Sequence, residues 1–147
     1  MSWDRILSLP VLAICMVLGS ASAIASTSAS ADEVTIVHAT VAEIAIDTDA
    51  LKDVFLGRQT TWSNGAHITV VIAKSGPSHD AVMQLLDKSN SQFLISWKKL
   101  VFTGKGTMPE QVDGEDALVR FVAMTPGAIG TVDRAKVTDG VKVLPLR

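Results

Sequence analysis

The sequence predicts one α/β domain in which a single, mainly parallel sheet carries helices on both faces. Apolar, β-branched runs alternate along the chain with stretches whose apolar residues recur at helical spacing. The run Ile68–Ala73 is apolar at nearly every position, as is typical of a strand covered on both sides. Residues 32–147 are enough for one domain and carry no internal repeat.

The N-terminus has the pattern of a secretory signal peptide. Arg5 precedes a mostly apolar run, Ile6–Leu18, and Ala29–Ala31 offers a small-x-small cleavage site before Asp32. We therefore expect residues 1–31 to be removed and the protein to be periplasmic or secreted, without membrane attachment after cleavage. Two earlier cleavage sites lie within Ala21–Ala25. An uncleaved anchor over residues 6–24 is the alternative.

Composition excludes several classes of partner and fold. The chain has a formal net charge of −2 and no long basic run, which argues against nucleic acid as a partner. Its single cysteine, Cys15, lies in the predicted signal peptide. The processed domain must therefore be held together by its apolar core and not by disulfides.

The first half of the domain is predicted to contain two strands and a helix. Val34–Val37 is β-branched and apolar, which predicts the first strand. Asp47–Asp49 can cap a helix whose apolar face includes Leu51, Val54 and Phe55, and Gly57 is expected to end it. A Ser-Asn-Gly turn at residues 63–65 then leads into the strand Ile68–Ala73.

The second half is predicted to contain three helices and two strands. After a Ser75–Ser78 loop, Val82, Leu85 and Leu86 mark a short amphipathic helix, and residues 93–101 carry a helical apolar stripe that ends at Thr103–Gly106. Asp113 is expected to cap a fourth helix that ends at Pro126-Gly127, before strands over residues 128–132 and 141–144. The residues expected in the core are Phe55, Val70, Ile72, Leu85, Trp97, Phe121 and Ile129.

The strongest candidate site is the loop Lys74-Ser75-Gly76-Pro77-Ser78 with His79. It stands where a buried strand ends and a helix begins, and free backbone N–H groups and the helix dipole make such a junction an anion site. Ser75 and Ser78 add hydroxyl donors, while Lys74 and His79 can add positive charge. Pro77 removes one backbone donor. The alternative is a plain turn in which Ser78 caps the helix and no ligand binds.

Two weaker candidates supply other cations. Thr103, Gly104 and Lys105 can form a backbone nest with a lysine over it, and the alternative is an ordinary helix C-cap. Arg58 follows Gly57, and the alternative there is a solvated surface arginine.

The sequence predicts neither catalysis nor a cofactor. His38, His67 and His79 lack the spacing of a zinc site, and the cluster Asp47–Asp53 is expected to serve helix capping. The chain has no Gly-x-Ser-x-Gly elbow, no P-loop and no Gly-x-Gly-x-x-Gly motif after a strand. We therefore expect no catalytic residues, no metal and no enzyme activity.

Four short motifs carry a resemblance to a known family. In order they are Phe55-Leu56-Gly57-Arg58, Trp62-Ser63-Asn64-Gly65, Phe102-Thr103-Gly104-Lys105-Gly106 and Pro126-Gly127-Ala128-Ile129-Gly130. Over residues 34–144 the chain resembles the phosphate-type substrate-binding proteins of ABC importers, in the type II periplasmic-binding-protein superfamily, and more closely their short, single-lobe members. The resemblance implies one lobe of that fold, with residues 74–79 as the loop that donates to a bound oxyanion. The family loop usually has more glycine, a threonine and an arginine.

Two functions follow from this resemblance. The first is an exported module that binds inorganic phosphate, or another small oxyanion, weakly and is linked to phosphate uptake, with an ABC permease or another envelope protein as its partner. The second is an exported accessory or interaction domain that kept the lobe fold and lost the ligand, because fold alone does not fix function.

Overall fold

The computed structural model describes residues 32–147; the predicted signal peptide, residues 1–31, lies outside the described residues. The described chain alternates strands and helices as the sequence predicts. Its elements in order are β1 Glu33–His38, α1 Thr48–Phe55, β2 Thr69–Ala73, α2 Pro77–Leu86, α3 Asn90–Phe102, β3 Glu110–Val112, α4 Glu115–Met124, β4 Ala128–Asp133, a 3-10 helix Arg134–Lys136 and β5 Val141–Val143.

The five described strands form one sheet in the order β3-β2-β4-β1-β5. Strand β2 pairs in parallel with β3 and β4, whereas β1 is antiparallel to both β4 and β5. Four strands therefore point the same way and β1 alone is reversed, which confirms the predicted mainly parallel sheet.

Helices cover both faces of this sheet, as predicted. Alternate residues of β2 enter different apolar layers: Val70 and Ile72 pack with α1, α2 and α3, while Val71 and Ala73 pack with α4. Because successive strand residues point to opposite faces, an unbroken apolar strand is what a sheet covered on both sides requires.

A hydrogen bond and a tight glycine contact join α1 to α3. Gly57 has a φ of 73° just after α1. A Cβ there would lie 2.5 Å from Leu100 Cδ1 and 2.9 Å from Trp97 Cη2. The indole N–H of Trp97 donates to the carbonyl of Phe55 at 2.9 Å. Gly57 thus supplies both the left-handed turn that ends α1 and the space that α3 occupies.

Most of the predicted core is confirmed. Phe55, Val70, Ile72, Trp97 and Ile129 are buried. Two residues expected in the core, Leu85 and Phe121, are only partly buried. Both lie at the border of a helix's apolar face, where a wide side chain contacts the core and also reaches water.

Two expected helix starts differ in the structure. The residue that caps α2 is Gly76, and the first residue of the helix is Pro77, so Ser78 lies inside the first turn. The residue that caps α4 is Gly114, and Asp113, the expected cap, forms an ion pair with Lys74. Strand β3 was not expected, because Glu110 and Gln111 lie exposed on a short edge strand without an apolar pattern.

Candidate functional site

The junction between β2 and α2 lies at the carboxyl edge of the parallel strands. Lys74 follows β2 directly, and its N–H donates to the carbonyl of Val112 at the end of β3 at 3.0 Å. The start of α4 therefore lies on the same edge. In open α/β sheets this edge is where ligands bind.

Backbone N–H groups at this junction are free to donate. Gly76 has a φ of 99°, caps α2 without a side-chain hydrogen bond, and would have no atom within 4 Å of an added Cβ. The first loop-to-helix bond runs from the N–H of Asp80 to the carbonyl of Gly76 at 3.0 Å. The N–H groups of Ser78 and His79 precede that bond and lack an intrahelical acceptor.

Further donors precede the helix. Within the part of the chain that the structure describes, the N–H groups of Ser75 and Gly76 also have no acceptor. Pro77 has no N–H to contribute. Four backbone donors therefore stand at the positive end of the α2 dipole, which is the arrangement that attracts an anion.

Ser78 is the most informative side chain at the junction. It is 1% exposed, and its Oγ is buried without a hydrogen-bond partner among the described residues. The hydroxyl does not cap α2, so the simple capping alternative does not explain it. A buried hydroxyl without a partner is costly, which calls for either a ligand or a water beside it.

The two expected cations of the loop already have partners. The ammonium of Lys74 lies 3.1 Å from Asp113 Oδ1, and both side chains are well exposed. His79 Nδ1 lies 3.3 Å from Asp80 Oδ1, and its Nε2 lies 3.3 Å from Asn90 Oδ1. An anion at the junction would therefore share Lys74 with a carboxylate.

Acidic side chains gather elsewhere on the carboxyl edge. Because β1 is reversed, its first residue, Glu33, lies opposite Asp133 at the end of β4. Burial, and after it the neighbouring carboxylates of Glu115 and Asp133, together raise the pKa of Glu33 to about 7. Both carboxyl oxygens of Glu33 and Oε1 of Glu115 are buried without a partner among the described residues. These carboxylates repel anions, so the edge favours an anion less than its N–H groups alone would suggest.

The weaker candidates lie at the other end of α3. Asn90, at the start of α3, contacts His79, and a helix of 13 residues puts its last residue about 18 Å away. Thr103, Gly104 and Lys105 follow that last residue, and Arg58 follows Gly57, which packs against the same end of α3. The structure therefore does not bring these four residues to the β2–α2 junction.

The polar groups of these weaker candidates form hydrogen bonds or ion pairs with nearby residues. The Thr103 hydroxyl donates to the carbonyls of Lys99 and Leu100, each at 3.1 Å. The N–H of Lys105 donates to Leu100 O at 2.9 Å. These bonds match the alternative interpretation of residues 103–105 as an ordinary helix C-cap. Arg58 forms an exposed ion pair with Asp53 at 3.2 Å.

Sequence reasoning missed the acidic cluster of Glu33, Glu115 and Asp133. The three residues come from three different elements, and no local pattern brings them together. Among residues 32–147 the structure shows no group of three or more His, Cys, Asp or Glu that could hold a metal ion. Over the same residues, no helix has the length and apolar character needed to cross a bilayer.

Neither a protein-family model nor a curated protein sequence matches the chain. Solved structures do match it. A putative phosphate ABC transporter substrate-binding protein with bound phosphate from Clostridium perfringens aligns with a TM-score of 0.63 and 20% identity, over 78% of this chain and 44% of that one.

Two further structures give the same result. An ABC-type phosphate transport receptor from Vibrio cholerae aligns with a TM-score of 0.60 and 14% identity, over 78% of this chain and 46% of its own. PstS from Borrelia burgdorferi aligns with a TM-score of 0.58 and 14% identity, over 79% of this chain and 47% of that one.

These likenesses establish the fold. The chain has the fold of a part of the phosphate ABC transporter substrate-binding proteins, and it spans less than half the length of each of the three. The predicted resemblance and the predicted single-lobe fold are confirmed.

Proposed function

We propose that this chain is an exported solute-binding-like module that binds an inorganic oxyanion weakly at the β2–α2 junction, with phosphate uptake as the process it serves. The observation that carries the proposal is the free N–H groups at the start of α2, beside the buried, unpartnered hydroxyl of Ser78. The fold supports it, because the neighbours are phosphate ABC transporter substrate-binding proteins. An ABC permease or another envelope protein is the proposed partner.

The ligand shell follows from the donors at the junction. Backbone N–H groups of Ser75, Gly76 and His79 would donate to the anion oxygens, with the hydroxyls of Ser75 and Ser78 completing the contacts. Lys74 would add a charge contact while remaining close to Asp113. Such a shell covers one side of the anion and leaves the other side to water, so the expected binding is weak.

Phosphate is the preferred ligand on chemical grounds. At neutral pH phosphate is present as its monoanion and its dianion, and both keep an O–H that can donate to a carboxylate, whereas sulfate can only accept. Asp113 stands beside Lys74 and could accept such a bond. A site that mixes N–H donors with a carboxylate therefore favours phosphate over sulfate.

Isothermal titration calorimetry with phosphate and with sulfate at low ionic strength tests the proposal. We expect saturable binding of phosphate at millimolar concentration or below, and weaker binding of sulfate. A chain that binds neither ion at millimolar concentration would contradict the proposal and favour the accessory-domain function instead.

A further inference from the structure

Helix α3 presents apolar side chains to the solvent as well as to the core. Phe93 and Trp97 are buried in the core, while Ile95 is 53% exposed and Phe102 is 95% exposed. With 3.6 residues per turn, Ile95 and Phe102 stand one above the other, two turns apart, on the side of α3 opposite Phe93. The helix therefore has a second apolar stripe that nothing in the described structure covers.

Two lysines flank this stripe. Lys98 and Lys99 lie between Ile95 and Phe102, at the third and fourth positions after Ile95, so one stands on each side of the stripe. We call Ile95, Lys98, Lys99 and Phe102 the outer face of α3. Among the described residues neither lysine forms an ion pair.

The charge of this helix contrasts with that of the protein. The sequence of α3, NSQFLISWKKLVF, contains no acidic residue, although the whole chain has a net charge of −2. Two lysines without an acidic neighbour on their helix stand beside an exposed phenylalanine. Such a face is complementary to a surface that has negative charges on the outside and an apolar layer under them. An anionic bilayer offers both contacts, and each lysine near its surface contributes about 1 kcal/mol to binding.

We infer that the outer face of α3 binds the surface of an anionic phospholipid bilayer, with the rings and alkyl groups of Phe102 and Ile95 entering the headgroup boundary. Lys98 and Lys99 then lie at the level of the lipid phosphates. This assignment differs from the sequence-based expectation that the processed domain has no membrane contact, because that expectation considered spanning segments and the signal peptide alone.

A second copy of the chain fits this face poorly. A two-fold symmetric pair of α3 helices would place the lysines of one copy against those of the other, and like charges oppose such an interface. Two exposed apolar side chains also fall well short of the roughly 800 Å² per partner that a stable protein interface buries. A bilayer needs no matching shape and accepts a convex, narrow helix.

Local fluorescence on the full chain tests the inference. An environment-sensitive fluorophore is attached to Ile95→Cys in a Cys15→Ser background, where the introduced thiol is the only one. This local readout is needed because the apolar run Ile6–Leu18 could itself bring the chain to vesicles. We expect increased, blue-shifted emission with phosphatidylglycerol vesicles and little change with phosphatidylcholine vesicles.

The matched control is a label at Met124→Cys. Met124 is 81% exposed, like the outer face of α3, but its helix carries a single basic residue, Arg120, against two acidic ones, Glu115 and Asp116. Its emission should not change with either lipid. Combining Lys98→Gln with Lys99→Gln should weaken the response at position 95 about tenfold or more, and about 0.5 M salt should do the same.

Phe102→Ser should weaken the response at position 95 without changing its dependence on lipid charge. An equal response with both lipids, or a response that survives loss of both lysines, would overturn the assignment. A response that rises with protein concentration in the absence of vesicles would also overturn it, in favour of a second copy. Capture by an acidic protein without any response to vesicles would replace the bilayer with a protein partner.

Discussion

The indole N–H of Trp62 donates to the carbonyl of Gly127 at 2.9 Å, across 65 residues of sequence. Both residues belong to the short motifs that carry the family resemblance, and the bond ties the Trp-Ser-Asn-Gly turn to the start of β4. Trp97 makes a similar bond to Phe55, which belongs to another of those motifs. Three of the four motifs thus act in tertiary packing, which explains why they identify a fold and not a binding site.

Gly57→Ala should destabilise the protein by about 2 kcal/mol or more. The change forces an L-residue into a left-handed conformation, which costs roughly 1–2 kcal/mol, and drives a methyl group into Leu100 and Trp97. Urea denaturation measures the effect. Gly104→Ala is the matched control, since Gly104 has a φ of 71° and would meet nothing within 4 Å. Equal losses in the two variants would show that packing at Gly57 contributes nothing.

Trp97→Phe should cost about 1–2 kcal/mol of unfolding free energy. The ring keeps most of its packing, but the carbonyl of Phe55 loses its buried donor. Thermal unfolding followed by circular dichroism checks this value. A variant as stable as the parent would mean that water or a rearranged donor replaces the indole N–H.

Ser78→Ala separates a structural role of this residue from a binding role. Because the Oγ of Ser78 is buried without a partner, its removal should leave stability unchanged or raise it by up to about 1 kcal/mol. The same change should weaken phosphate binding severalfold, as judged by calorimetry. A loss of about 1 kcal/mol of stability would instead indicate that the hydroxyl has a capping role in solution.

Lys74→Gln should weaken phosphate binding, most clearly at low ionic strength, with a change in stability of less than about 0.5 kcal/mol. The small stability effect is expected because the Lys74–Asp113 pair is well exposed. Lys105→Gln is the matched control, since Lys105 lies beyond the far end of α3. Loss of affinity in Lys105→Gln, with Lys74→Gln unchanged, would move the site to residues 103–106.

The pKa of Glu33 predicts a pH dependence of stability. Its folded-state pKa of about 7 lies above the ordinary value of 4.5, so the folded protein holds this proton more tightly than the unfolded chain does. The resulting stabilisation is complete below about pH 4.5 and is lost as the pH rises through about 7. Glu33→Gln should remove that loss and be more stable than the parent at pH 8, by on the order of 1 kcal/mol.

Urea denaturation of both proteins at pH 4.5, 6 and 8 measures this difference. Comparing the variant with the parent cancels the titration of the other groups, including the three histidines. A difference between the two proteins that does not change over this pH range would show that Glu33 titrates normally in the fold.

Local sequence pattern was enough to locate four of the five strands and all four α-helices in the described chain. The alternation of faces in Val70–Ala73 and the apolar stripe around Trp97 are properties of neighbouring residues, so they are visible without tertiary structure. The β2–α2 loop was also visible, because a buried strand followed by Ser, Gly and Pro has few other local solutions. The direction of each individual strand was not visible from the sequence.

Tertiary structure alone decided what meets at the carboxyl edge. Reversal of β1 places Glu33 opposite Asp133, and pairing of β3 with β2 brings Asp113 to Lys74. Burial of Ser78 without a partner likewise depends on how α2 lies against the rest of the domain. These contacts join residues far apart in sequence, and the burial and charge that they create are set by the pairing of whole elements, which no local pattern of residues encodes.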